Sequence, residues 1–193
     1  MNHSEYNTNN KGLQPLVQEP LVQNRWGQSI FHITWVTHNS RISERMVQYK
    51  VQKGEWIYLS DDQELAITRY IWDIVRENHF QILTYNICKD HVHILLICKE
   101  EKLPDIIRKL KWKSAQKFKE WLWVWKNEIY HLWAQKYNIS YIENDEKFQE
   151  VMRYIEYNRV KHWLSDNKGL QPLVHEFLTV YDDELLKPSN NKG

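Results

Sequence analysis

Residues 80–98 read FQILTYNICKDHVHILLIC, two β-rich runs (80–88 and 91–98) with only Lys89-Asp90 between them. A connection that short makes the two runs partners in an antiparallel hairpin. Whatever else the chain forms must be arranged around that sheet. Residues 29–37 (SIFHITWVT) alternate and are rich in β-branched and aromatic side chains, which predicts a further strand. Asp61-Asp62 opens a helix to about Asn78, with Leu65, Ile67, Tyr70, Ile71, Ile74 and Val75 as its apolar face. Pro104 opens a second helix to about Val124. Residues 139–142 fit a short strand, and Asn144 or Asp145 caps a third helix to about Leu164. The stretch 46–59 suits either a short strand or a hairpin around Lys53-Gly54. This order suits an α+β, ferredoxin-like (split βαβ) antiparallel sheet with helices packed on one face and an added C-terminal helix. Such a topology hosts many functions and does not choose among them.

The chain of 193 residues is long enough for one domain with a core, flanked by tails. The octapeptide NKGLQPLV occurs twice, at 10–17 and again at 167–174. The copies bracket the central region, unlike the adjacent units of a solenoid. The expected division is an N-terminal tail at 1–27, a catalytic domain at 28–165 and a C-terminal tail at 166–193, with the tails weakly docked or mobile. A repeated DNA element translated at both edges of the gene would also account for the two copies. Cys88 and Cys98 sit in apolar runs and read as small buried hydrophobes rather than a disulfide or zinc framework. No run approaches the roughly 20 apolar residues of a membrane span, and the polar N-terminus lacks a signal peptide's apolar stretch. The expected location is the cytoplasm.

His91-Val92-His93 is the sharpest chemical feature. Side chains two apart on a strand project from one face, about 7 Å apart along the backbone. Two imidazoles so placed can hold one divalent cation with positions left open for a substrate phosphate; they can equally be half-buried histidines hydrogen-bonding on the sheet. In the third predicted helix, Tyr154 and Asn158 lie one turn apart on one face, with Glu150 a turn earlier. Tyr154 can serve as a covalent nucleophile, or simply pack beside Met152 and Ile155. Tyr157 is its local competitor, on the face of Arg153 and Lys161.

A net charge of only +1 gives no global sign of a nucleic-acid binder, so any such surface must be local. The helix from Pro104 carries Arg108, Lys109, Lys111, Lys113, Lys117 and Lys119, interleaved with Trp112, Phe118, Trp121 and Trp123. Ile107, Leu110, Phe118 and Trp121 make an inward stripe. The cations can then meet phosphates, and Trp112 or Trp123 can stack unpaired bases; the same charges also suit an ordinary solvated face.

Taken together, FHITWVTHNSR, ILTYNICKDHVHILLIC, IIRKLKWKSAQKF and LWAQKYNISYIENDEKFQEVMRYIEYNRVKH resemble, in that order, segments of the single-tyrosine HUH transposases. The branch they look most like is the REP-associated tyrosine transposases. The resemblance runs from about Ser29 to Leu164. It implies that His91 and His93 are the metal-binding histidines, Tyr154 the nucleophile and Asn158 the polar ligand one turn on. Three places depart from the family pattern. Lys89-Asp90 stands where Pro-Asn is usual, Arg159 replaces a common proline, and Ala134-Gln135 shifts the Trp-Gln pairing.

The implied activity is cleavage and rejoining of single-stranded DNA through a 5′-phosphotyrosine, with Mg2+ or Mn2+ bound. The implied partner is single-stranded or hairpin DNA held along Arg108, Lys109, Lys111, Lys113, Lys117 and Trp112. A homodimer and nucleoid association while DNA is bound also fit. The rival reading is a non-catalytic nucleic-acid module whose sheet exposes Trp35 or Tyr85 to bases. A metal-dependent phosphodiesterase using water is the third.

Overall fold

The computed structural model describes residues 28–42, 44–122 and 131–186. Strand β1 (Ser29–Val36) alternates buried and half-buried side chains, as its sequence pattern requires. The hairpin forms as expected from β2 (Gln81–Cys88) and β3 (His91–Cys98), antiparallel, with Asn86 opposite His93 and Cys88 opposite His91. Lys89 turns the chain with a left-handed φ of 32°. β3 pairs on its other side with β1, placing Thr34 opposite His93 and Val36 opposite His91. The short strand β4 (Asn138–Tyr141) pairs with β1, giving the order β2-β3-β1-β4. With one long helix between β1 and β2 and another between β3 and β4, this is the split βαβ arrangement expected.

Those two helices cover one face. The helix α1 (Glu44–Gln48) is a short turn in the β1-to-α2 connection. Helix α2 (Asp61–Asn78) starts at a capping box in which Ser60 and Gln63 satisfy each other's backbone N–H groups. Helix α3 (Leu103–Trp121) carries Pro104 in its first turn, after a short 3-10 turn at Glu100–Lys102. Ile67, Ile71, Trp72, Ile107, Leu110 and Phe118 pack with Phe31, Ile33, Trp35, Val92, Ile94 and Leu96 into the main core. Two parts of the apolar reading change. Trp72 takes a central place that the periodicity gave to Tyr70, and Trp121, read as inward, is 42% exposed.

Helix α4 (Asp145–Glu156), N-capped by Asn144, packs on the opposite face. There Val151 and Ile155 join Leu95 and Ile142 in a small second cluster. The third predicted helix does not run unbroken to Leu164. It stops at Tyr157 (φ −89°, ψ 8°), and a separate turn, α5 (Asn158–Lys161), follows. No strand or hairpin forms at 51–59; that stretch is irregular and runs back along the end of β1, with Thr37 Oγ1 donating to Ile57 O at 2.7 Å. Trp35 and Tyr85, suggested as exposed base-stacking rings, are 1% and 3% exposed because they face the helix-covered side. Cys88 and Cys98 are buried free thiols. The second octapeptide copy opens a helix, α6 (Leu170–Leu186), whose Leu170 and Val174 reach the main core. Among the described residues, no helix is long and apolar enough to cross a membrane.

Candidate active site at the histidine pair

Because β3 alternates, Val92, Ile94 and Leu96 enter the main core, and His91, His93 and Leu95 face α4. His91 and His93 are each 4% exposed, with ring centroids 5.0 Å apart. His91 Nδ1 lies 2.7 Å from Asp90 Oδ1, and the other oxygen of Asp90 accepts from Arg41 Nη1 at 3.0 Å. Burial would raise the Asp90 carboxyl, but the His91 hydrogen bond and the Arg41 charge hold it below the ordinary aspartate value. A carboxylate at Nδ1 keeps the proton there, so Nε2 of His91 offers a lone pair.

That Nε2 meets Asn158 Oδ1 at 2.8 Å, and Asn158 is fully buried. His93 Nδ1 lies 2.9 Å from Thr34 Oγ1 and 3.0 Å from His32 Nε2, whereas its Nε2 is buried with no hydrogen-bond partner among the described residues. The Nδ2 of Asn158 is likewise buried with no partner among the described residues. The His91 and His93 imidazoles and the Asn158 amide thus lie side by side, with His91 Nε2 in contact with Asn158 Oδ1. Such a donor set suits a divalent cation. Among the described residues no group of three or more His, Cys, Asp or Glu side chains is arranged to hold a metal. The Asn158 amide, in contact with His91 Nε2, is a further oxygen donor beside the two histidines.

Tyr154 closes the site. Its ring stands edge-on to His93 at 5.3 Å and to His32 at 6.0 Å, with Lys161 Nζ 4.5 Å from the ring centroid. Asn86 Nδ2 donates to Ile155 O at 2.6 Å and ties the end of α4 to β2. Tyr157, the competitor, is 63% exposed. Glu150 points outward and pairs with Lys147. The structure thus brings His91, His93, Asn158 and Tyr154 together within one chain.

Four neighbours escaped the sequence reading: His32, Thr34, Lys161 and His162, whose ring is 4.9 Å from that of His91. His32 and Thr34 had a usable signal, since they are two polar residues at strand spacing on the half-buried face of β1. Lys161 and His162 had none, because only the break at Tyr157 turns them toward the histidines.

The basic helix is elsewhere. α3 belongs to the layer on the other face of the sheet, and most of its cations are engaged. Lys113 pairs with Glu77 and Lys117 with Asp73 on α2, while Lys109 donates to Asn78 Oδ1 at 2.9 Å. Lys111 donates to the carbonyls of Ala134, Gln135 and Lys136, and burial pushes its pKa down to about 8. Arg108, paired with Asp105, and Trp112, 62% exposed, line an open groove of about 390 Å³ between α3 and residues 131–137. Trp123 lies outside the described residues.

His93 is held neutral down to about pH 2 by burial first, then by the nearby His91, His32, His162 and Lys161. The unfolded chain titrates this group near its ordinary 6.5. Below that pH the unfolded state binds the extra proton, so the stability contribution is complete above about 6.5 and lost as pH falls. The expected loss from His93 alone is roughly 1.4 kcal/mol per pH unit. Thermal melts in chelator from pH 7 to pH 5 should show a falling Tm, and His93→Gln should flatten that fall. An unchanged slope in the variant would remove His93 as its source.

The family model described as transposase, IS200-like, matches residues 27–158. The chain is similar to the ISDra2 transposase TnpA of Deinococcus radiodurans, 30% identical over 92 residues, which cover 44% of this chain and 61% of that protein. Among solved structures it is similar to a REP-associated tyrosine transposase bound to a REP hairpin. There the identity is 18% and the TM-score 0.46, covering 69% of this chain and 68% of the other.

Proposed function

This chain belongs to the IS200-like transposase family, and from that premise we propose that it cleaves and rejoins single-stranded DNA through a covalent bond to Tyr154. The observation that carries the reading is the Tyr154 ring packed against His93, itself beside a His91–Asn158 contact of 2.8 Å. A nucleophile candidate and a metal-type donor set are packed against one another.

His91 Nε2, His93 Nε2 and Asn158 Oδ1 would hold Mg2+ or Mn2+, which when bound polarises a phosphate oxygen. Asp90 fixes the orientation of His91, and Thr34 and His32 fix that of His93. The Tyr154 hydroxyl attacks the scissile phosphorus. The Tyr Oη–P bond forms, the P–O3′ bond breaks, and the phenolic proton is balanced by protonation of the departing 3′ oxygen. Lys161, beside the ring, supplies positive charge where the phosphate arrives. The 5′-phosphotyrosine retains the energy of the phosphodiester, so a strand bearing a 3′-hydroxyl can reverse the attack and be joined. Single-stranded or hairpin DNA is the substrate class, which would bring the protein to the nucleoid. Arg108 and Trp112 are the α3 residues best placed to touch DNA remote from the cut. A homodimer also fits this reading.

The test is incubation of end-labelled single-stranded oligonucleotide with protein and Mg2+ or Mn2+, resolved on a denaturing gel. A covalent protein–DNA band should form and vanish in chelator. His93→Ala should weaken Mn2+ binding by calorimetry by about 100-fold or more, since even an outer-shell partner is worth 10–100-fold. Binding that ignores chelator, with no cleavage, would instead favour the non-catalytic module. Cleavage without a covalent band would favour the water-using phosphodiesterase.

A further inference from the structure

Transposase chemistry leaves the duplicated octapeptide unexplained, yet its second copy has a built seat. Asn167 is 3% exposed, and its Nδ2 donates to Glu64 Oε2 at 2.9 Å and to Asp61 O at 3.2 Å. A Cβ added to Gly169 would come within 3.1 Å of Leu65 Cδ1, so the chain passes too close to α2 for an ordinary side chain to fit without displacing Leu65. Leu170 is fully buried and Val174 is 6% exposed. The seat therefore asks for an amide, a glycine and two aliphatic residues at positions 1, 3, 4 and 8 of the motif.

The first copy meets the same specification with Asn10, Gly12, Leu13 and Val17. The likeness also extends past the octapeptide: residues 10–21 (NKGLQPLVQEPL) and 167–178 (NKGLQPLVHEFL) agree at ten of twelve positions. His175, one of the two that differ, is exposed. The other is Phe177, which stacks on Trp72 at 5.2 Å. Its counterpart Pro20 loses that contact and cannot continue a helix. Every buried requirement of the seat up to Val174 is thus written twice in the chain, the second time with an added ring contact.

We propose that residues 10–21 of the same chain are a second, weaker occupant of this seat, taking it when residues 167–178 leave. Reach favours the same chain. α6 passes from Asp61 and Glu64 near the start of α2 to Trp72 further along it, toward the sheet end where β1 begins. The seven residues 22–28 span up to roughly 24 Å, against about 10 Å for two strand spacings. A tethered segment competes at an effective concentration in the millimolar range for short linkers. The exchange bears on the active site because the Glu64 carboxylate in the seat also binds Arg159, next to Asn158, and the N–H of Lys89, two residues before His91. The first copy restores the partner that Glu64 loses with Asn167.

The test uses full-length protein. In the Leu170→Asp background, which ejects the second copy, Gly12→Cys and Leu65→Cys should form an intrachain disulfide under mild oxidation, mapped by mass spectrometry. Leu65→Cys with Gly169→Cys in the otherwise native chain is the positive control. In parallel, Leu13→Asp alone should leave Tm unchanged, while Leu13→Asp added to Leu170→Asp should lower it by roughly 4 °C or more. Absence of the 12–65 link, or its formation only between chains, overturns the proposal. So does an equal effect of Leu13→Asp in both backgrounds, or a Leu170→Asp chain that does not fold, since the first copy is then not taking the seat.

Discussion

Tyr154→Phe is expected to abolish the covalent protein–DNA species and to cut strand cleavage by roughly three orders of magnitude or more, the scale seen when a covalent nucleophile is removed. The substitution deletes one oxygen and keeps the ring that packs against His93 and His32. Folding and Mn2+ affinity should therefore stay near those of the parent. Tyr157→Phe is the matched control: that ring is mostly exposed and on no route to the histidines, so both cleavage and adduct should persist. Single-turnover cleavage of labelled oligonucleotide, with adduct scored on the same gel, reads both variants. An adduct that survives Tyr154→Phe and disappears with Tyr157→Phe would move the nucleophile to the outer residue.

The second large effect concerns stability. Arg159 stands where the family commonly has proline, and it is buried rather than solvent-facing. Its Nη1 donates to both oxygens of Glu64 at 3.0 and 2.9 Å, and its Nη2 to Ser165 O at 2.8 Å. Glu64 is wholly buried and also accepts from Lys89 N and Asn167 Nδ2. Removing one member of a buried pair strands the other charge, at a cost of about 3–5 kcal/mol. Arg159→Met should lose stability on that scale in urea titration, and Glu64→Leu/Arg159→Met should regain part of it because no lone charge remains. Equal stability of the single and double variants would mean the pair is not coupled. Since this carboxylate grips the backbone just before Asp90-His91 and the side chain just after Asn158, Arg159→Met should also weaken Mn2+ binding.

The histidine pair was legible because strand geometry has a fixed period of two and the hairpin left only one register for it. The sheet order followed for the same reason. Other features depended on partners remote in sequence. Nothing local ends the helix at Tyr157, which is followed by neither proline nor glycine; the pull comes from Asn158 on His91 and Arg159 on Glu64, 67 and 95 residues away in sequence. The lysines of α3 read as a DNA surface because Asp73 and Glu77, which hold Lys117 and Lys113, belong to another helix. Trp35 and Tyr85 were ambiguous because helices cover both faces of this sheet, so alternation alone does not say which side is open. Lys161 could not be placed over Tyr154 without first knowing that α4 stops.

β3 serves two masters by turns, each odd-numbered residue from His91 to Leu95 facing α4 and each even one from Val92 to Leu96 entering the main core. Inserting or deleting a single residue between Lys89 and His93 would exchange the two sets, turning Val92 toward Tyr154 and driving imidazoles in among Ile71 and Phe31. The gene can thus drift in the letters of this strand far more freely than in its length, and a one-codon indel there would cost fold and chemistry at a stroke.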